Sequence, residues 1–260
     1  MSAVAPEGAG VPDRVAADRL APGDAARDPR RLLGEVLVAP SILSADFGAL
    51  REQVREVLAA GARLIHVDVM DGHFVPPITV GPLVVEALAG EVRAVGAMLE
   101  AHLMIERPER HVADFVEAGA DSVTFHAEAT AHIAYTAALL RERGACVGVA
   151  INPATPPGVL SEVAGAVEVA LCMTVSPGWG GQPFIEHSLE KLPRLRAVVG
   201  ERVAIEVDGG IDPDTAPRCR AAGASLFVAG TAIFATSDPG ESYAALVRSL
   251  AERPGEADSR

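Results

Sequence analysis

The stretch "AAGARLIHVDVMDG", residues 59–72, decides the architecture. An amphipathic segment runs up to Gly61, a residue that tolerates the left-handed turn ending a helix, and the apolar run 64–69 follows at once. The same junction recurs at "EAGADSVTFH" (117–126), "RERGACVGVA" (141–150), "EVAGAVEVAL" (162–171) and "AAGASLFVAG" (221–230). Its glycines are Gly61, Gly119, Gly144, Gly165 and Gly223, with weaker examples at Gly90 and Gly200 in the two long gaps. Seven helix ends, added to the opening run "VLVAPSIL" (36–43), predict eight strands, near 36–41, 64–69, 99–104, 122–126, 146–151, 168–174, 203–208 and 225–230. Strands joined by helices are parallel, and eight of them in about 220 residues predict a single α/β domain of the (β/α)8 TIM-barrel class. The alternative, an open doubly wound sheet, is weakened because no G-x-G-x-x-G turn follows the first strand.

Outside these units the chain reads differently. Residues 1–34, rich in Ala, Pro, Gly, Asp and Arg, read as a disordered extension; 35–252 is the barrel and 253–260 a frayed tail. The first residues lack the apolar core of a secretory signal and carry too many acids for a transit peptide. No apolar run is long enough to cross a bilayer. After the first strand, Phe47, Leu50, Val54 and Leu58 recur at helical spacing, with Ser44 or Asp46 placed to cap the start.

Composition narrows the chemistry. A net charge of −13 with no basic patch argues against nucleic acid or an anionic membrane as partner. Lys191 is the only lysine and reads as a residue of a surface helix, so Schiff-base and P-loop chemistry lack a candidate. The three cysteines (Cys146, Cys172 and Cys219) show no paired spacing, which fits a reducing cytoplasm.

In a barrel of this kind, function lies at the C-terminal ends of the strands. The polar residues there are His66, Asp68, His102, His126 and Asp208. Alternation puts His66 and Asp68 on one side of the second strand, facing the lumen if Val67 and Val69 face the helices. Each of these residues alone also suits a hydrogen-bonded core pair. Together His66, Asp68, His102 and Asp208 offer two imidazoles and two carboxylates, a donor set for one divalent ion such as Zn²⁺, Fe²⁺, Mn²⁺ or Co²⁺. Three loops of small residues, "SPGWGGQPF" (176–184), "DGG" (208–210) and "AGT" (229–231), sit at one height and suit a phosphate held by backbone N–H groups. His126 reads as a core residue or a partner of the ligands, and Asp71 and His73 as solvated or capping loop residues.

The motifs "APSILSADF" (39–47), "HVDVMDGHFVPPITVGP" (66–82), "HLMIERPE" (102–109), "MTVSPGWGGQPF" (173–184), "EVDGGI" (206–211) and "VAGTAIF" (228–234) closely resemble the ribulose-phosphate 3-epimerase family, in order over about residues 35–250. The resemblance implies a metal-dependent barrel interconverting D-ribulose 5-phosphate and D-xylulose 5-phosphate, a step of the pentose phosphate pathway. His66, Asp68, His102 and Asp208 match the metal ligands, with Zn²⁺ or Fe²⁺ first and Mn²⁺ or Co²⁺ next. Asp68 and Asp208 match the acid/base pair. Ser41, His102, Gly178, Trp179, Gly180, Gly181, Asp208, Gly209, Gly210, Gly230 and Thr231 match substrate-binding positions. Met70, Met104 and Met173 match a thioether lining. The family is commonly oligomeric, which implies a homo-oligomer.

Pro77, Trp179 and Thr231 stand where the family usually has Asn, often Phe, and Ser. None is a metal ligand, so the first two bear on sugar preference rather than reaction type. Epimerisation at C3 of a 2-ketose removes a proton beside a carbonyl and returns it to the opposite face. Two carboxylates flanking a fixed substrate do this directly, and a divalent ion stabilises the enediolate charge. Rival readings are a 3-epimerase of a hexulose phosphate such as allulose 6-phosphate, a hexulose-phosphate synthase and a non-catalytic ligand-binding barrel. The synthases generally use a lysine near the site, which the lone Lys191 does not supply.

Overall fold

The computed structural model describes residues 29–251, so the expectations for 1–28 and 252–260 lie outside the described residues. Eight strands follow in order: β1 (Leu37–Pro40), β2 (Leu64–Met70), β3 (Met98–Met104), β4 (Ser122–His126), β5 (Cys146–Ile151), β6 (Val169–Met173), β7 (Ala204–Asp208) and β8 (Leu226–Ala229). Each pairs in parallel with its sequence neighbour from β2 to β8, and β8 pairs with β1. The ring closes between β1 and β2 at the parallel bridge Ser41–His66. This is the (β/α)8 barrel that the junction repeat predicts.

The period of two divides each strand between two cores. Outward residues such as Ile65, Val67, Val69, Leu99, Leu103, Val147, Val149, Ile205 and Val207 bury themselves under the helices. These are α1 (Leu50–Ala59), α2 (Pro82–Ala94), α3 (Val112–Glu117), α4 (Ile133–Glu142), α5 (Ser188–Val199), α6 (Thr215–Ala221), α7 (Thr231–Phe234) and α8 (Pro239–Ala251). Inward residues at the N-terminal end of the barrel are apolar, with Leu37, Ala39, Leu64, Met98, Cys146, Val169, Ala204, Leu226 and Val228 forming one cluster. Above that plug the lumen turns polar: His66, Glu100, Thr124 and Glu206 are almost fully buried there.

Several local expectations are corrected. Residues 29–34 are not part of an unstructured extension; Pro29–Gly34 form a 3-10 helix whose Leu32 and Leu33 complete the apolar plug. The compositional bias of the first residues hides two leucines that find a hydrophobic seat. No α-helix precedes β6: two short 3-10 turns, Pro157–Leu160 and Ala164–Ala166, carry the chain across. The turn after α2 uses Gly96 (φ 73°), while Gly90 lies inside that helix. Helix α1 begins at Leu50 without a side-chain cap, because Asp46 instead accepts from the Gly48 N–H of the preceding turn. Val54 and Leu58 are buried as the spacing predicts, Val57 is buried beside them and Leu50 only partly, but Phe47 stands outside the helix, 51% exposed.

Lys191 is also misread by its surroundings in sequence. It is buried on α5, and its ammonium donates to the carbonyls of Asn152 (2.6 Å) and Pro153 (3.2 Å). Burial lowers its pKa. The long stem lets a charged head reach carbonyls of the β5 loop, a structural staple rather than a surface charge.

The polar layer constrains its neighbours. Thr124 occupies the space beside Gly148, where a Cβ would fall 1.8 Å from the threonine Oγ1. Gly148→Ala is therefore expected to cost at least about 2 kcal/mol in urea unfolding, as overpacked cores do. Combined with Thr124→Ala, the pair should cost less than the sum of the single changes; strict additivity would show that the clash is not the cause.

Candidate active site

Strand alternation aims His66, Asp68 and Met70 of β2 into the lumen, together with His102 and Met104 of β3 and Asp208 of β7. His66 Nε2 lies 3.3 Å from Asp68 Oδ1 and 3.3 Å from His102 Nδ1. His102 Nδ1 lies 3.2 Å from Asp68 Oδ1 and 3.4 Å from Asp208 Oδ2. One donor atom from each of the four residues falls within 4.8 Å of all the others. Around an ion about 2.0–2.1 Å from each ligand, tetrahedral neighbours sit about 3.3–3.4 Å apart. The observed spacings match that edge, and the mixed N/O set suits a divalent transition metal. These four side chains can hold a divalent ion.

Electrostatics agree with that reading. Burial disfavours charge on His66 and Asp68, yet their mutual attraction outweighs it, raising the histidine pKa well above its usual value and holding the carboxyl far below its own. His102 is likewise raised, burial being overcome by Asp208 and Asp68. Such a cluster binds positive charge by default, a proton where no metal competes.

The remaining expected residues gather at one pocket of ≈ 530 Å³, open to solvent above the donor cluster. Its walls include Ser41, Met70, Met104, Met173, Gly178, Trp179, Gly180, Gly181, Gly209, Gly210, Gly230 and Thr231, with Asp68 and Asp208 at the base. His66 and His102 lie buried beneath. Ser41 Oγ donates to Asp68 Oδ2 at 2.5 Å, so the two oxygens of Asp68 face different partners. Gly209 (φ 116°) permits the closest approach of loops, since a Cβ there would meet Val175 at 2.3 Å. No lysine or arginine lines this pocket among the described residues.

Two buried carboxylates beside the centre escaped the sequence reading. Glu100 accepts from Thr124 Oγ1 at 2.6 Å and faces His66 Nδ1 at 3.0 Å. Glu206 is fully buried, 3.9 Å from the same nitrogen, with neither oxygen hydrogen-bonded. Both sit mid-strand, where a reading confined to strand ends does not look. The available signal was position, because each stands two residues before a ligand, Glu100 before His102 and Glu206 before Asp208. His126 also joins the site's surroundings, its Nε2 2.9 Å from His102 Nε2 and its Nδ1 3.3 Å from Glu128 Oε2. Burial lowers the His126 pKa to about 4 and the bonds around Glu128 overcome its own burial to bring that carboxyl to about 2. Asp71 is a capping residue as expected, accepting from the backbone of His73, Phe74 and Glu106.

Fold and site together define a class: a (β/α)8 barrel with a buried two-histidine, two-aspartate centre under a small polar pocket. Comparison with known proteins makes the class specific. The model of the ribulose-phosphate 3 epimerase family matches residues 37–234. The chain is 48% identical over 208 residues to the ribulose-phosphate 3-epimerase of Bacillus subtilis, covering 78% of this chain and 94% of that one. It is 44% identical over 207 residues to the enzyme of that name from Escherichia coli K12, covering 78% and 91%. The chain belongs to the ribulose-phosphate 3 epimerase family. Among solved structures, a 3-hexulose-6-phosphate synthase superposes with a TM-score of 0.61 at 20% identity, over 83% of this chain and 99% of that one, a likeness of fold alone.

Burial, then the Glu100 carboxylate, raise the Glu206 pKa well above the usual value. A raised carboxyl pKa gives stability that is full below the unfolded value and lost as pH rises through the folded one. Glu206→Gln copies the neutral form, so the melting temperature of the metal-free variant should fall less than wild type as pH rises above the usual carboxylate range. Parallel falls in both proteins would contradict this assignment.

Proposed function

We propose that the chain interconverts D-ribulose 5-phosphate and D-xylulose 5-phosphate by proton transfer at C3, with Asp68 and Asp208 as the two bases. The observation that carries this reading is the convergence of both carboxylates, from β2 and β7, at the base of one pocket. Family membership supports it. His66, Asp68, His102 and Asp208 would hold the divalent ion, with Zn²⁺ or Fe²⁺ the first candidates and Mn²⁺ or Co²⁺ the next. When bound, it supplies positive charge against the oxyanion that develops at C2 as the C3 proton leaves.

The chain's own groups do the rest. Asp68 Oδ1 faces the two imidazoles, which leaves Oδ2, on the Ser41 side, as the oxygen placed to take or return the C3 proton. Asp208 performs the mirror step from the other face of the sugar, and the direction of reaction decides which acts as base. Met70, Met104 and Met173 line the pocket beside the carboxylates and keep water from the reacting carbons without offering a competing proton. Backbone N–H groups of the loops at Gly178–Gly181, Gly209–Gly210 and Gly230–Thr231 hold the phosphate and fix the far end of the substrate. Trp179, 63% exposed, covers the opening, with Pro77 packed near Gly178 beneath it. Lys191 lies outside the pocket, bonded to carbonyls, which counts against the lyase alternative.

A phosphorylated sugar does not cross a bilayer unaided, which supports a cytoplasmic location for the enzyme. A homo-oligomer belongs to the same proposal, and Ile78 (81% exposed) and Leu83 (80%) are exposed apolar side chains that a second copy would cover.

Metal-loaded protein given ribulose 5-phosphate in D₂O should form xylulose 5-phosphate carrying deuterium at C3. Absence of product with Zn²⁺, Fe²⁺, Mn²⁺ and Co²⁺ in turn would overturn the epimerase reading. Asp68→Asn and Asp208→Asn should each lose at least about a thousandfold in turnover. A full rate in either variant would remove that residue from the acid/base pair.

A further inference from the structure

Each imidazole of the centre has a carboxylate behind it, but the two connections differ. His66 Nδ1 meets Glu100 directly. His102 reaches its carboxylate through another ring: His126 stacks on it, centroids 5.0 Å apart and planes 19° from parallel, with the two Nε2 atoms 2.9 Å apart. His126 Nδ1 then meets Glu128 Oε2 at 3.3 Å. Glu128 is anchored in turn, its Oε1 accepting from the Asn152 backbone N–H at 2.7 Å and from the Thr155 hydroxyl. Phe74 covers the His126 ring with centroids 4.8 Å apart. His126 does not reach the substrate pocket, so the proton transfer proposed above gives it no task.

We propose that His126 and Glu128 are positioning residues that fix which nitrogen of His102 faces the metal; the inference rests on the metal-centre reading above. The hydrogen-bond directions leave one arrangement. Glu128 can only accept, so the His126 ring carries its single hydrogen on Nδ1 and presents a lone pair at Nε2. The 2.9 Å contact between the two Nε2 atoms then takes its hydrogen from His102. In the neutral form that metal binding requires, His102 then has its lone pair at Nδ1, the atom 3.2 Å from Asp68 Oδ1 and 3.4 Å from Asp208 Oδ2.

Without this relay the two aspartates are the best acceptors within reach of the ring. They would draw the His102 hydrogen to Nδ1, where it blocks the position that the ion needs. The relay thus gives that hydrogen a buried acceptor on the far side. Carboxylates that orient ligating imidazoles usually act in direct contact. Here a second imidazole extends the reach, so that the loop after β5, through Asn152 and Thr155, bears on the metal ligand.

The test measures Co²⁺ binding to the full chain by competition with a chromophoric chelator. It is paired with the melting temperature of each metal-free protein and nitrogen-15 NMR of the histidine rings in the Zn²⁺-loaded protein. Wild type should bind Co²⁺ and show His102 with hydrogen on Nε2. His126→Leu should weaken Co²⁺ binding about 10- to 100-fold and Glu128→Gln about tenfold, the scale of losses around metal ligands. His126→Gln keeps an acceptor toward His102 and should recover part of the loss. Glu128→Gln changes no packing volume, so its metal-free melting temperature should stay near wild type. Unchanged Co²⁺ affinity in Glu128→Gln and His126→Leu, or hydrogen on Nδ1 of His102 in the wild type, overturns the relay while leaving the metal centre standing. Wild-type protein that binds no Co²⁺ overturns the metal centre and the relay together.

Discussion

Negative charge packed into a closed space is the constraint on which the molecule turns. Asp68, Glu100 and Glu206 are buried in the lumen with Asp208 at its rim, against two imidazoles. Carboxylates taken out of water are costly unless paired. The structure meets that cost in three ways. Glu206 is kept toward its neutral form by burial and by Glu100. Glu100 is shared between Thr124 and His66. Asp68 and Asp208 gather with the imidazole nitrogens into a site with the dimensions of a cation shell. The remainder of the barrel follows from this demand: an apolar plug below, which Leu32 and Leu33 complete, and a substrate pocket above.

The architecture was open to reading because it is written in period two and in glycine. Every strand lies within two residues of its expected bounds, since β-type apolar runs after Gly61, Gly119, Gly144, Gly200 and Gly223 have no other use than buried parallel strands. That His66, Asp68, His102 and Asp208 cluster was open to reading for a related reason, as ionisable side chains at strand ends are rare without a task. What stayed hidden depended on contacts between segments far apart in sequence. Lys191 looked solvated until α5 set it against the β5 loop. Glu100 and Glu206 looked like ordinary strand residues until the register placed them under His66. Gly165 signalled a helix end that the chain replaces with 3-10 turns.

Ligand placement also shows how a repeated fold becomes a single-purpose one. The units share one plan, apart from the 3-10 turns before β6, yet β2, β3 and β7 carry the clustered histidines and aspartates, β4 carries the adjoining His126, and β5 offers Gly148 as room for Thr124. Loops after β6, β7 and β8 are left to small residues. The aspartates of β2 and β7 and the glycine-rich loops after β6, β7 and β8 thus border one pocket.

The ring of strands has one thin seam. Every other neighbouring pair shares a ladder of at least three registered residues, while the backbone register between β1 and β2 is the single bridge Ser41–His66. A cation held by β2, β3 and β7 would reach across that seam from the inside, much as a clasp holds an open bracelet. Its binding and the closure of the wall would then be linked, so that stripping the ion would loosen the hoop where it is weakest.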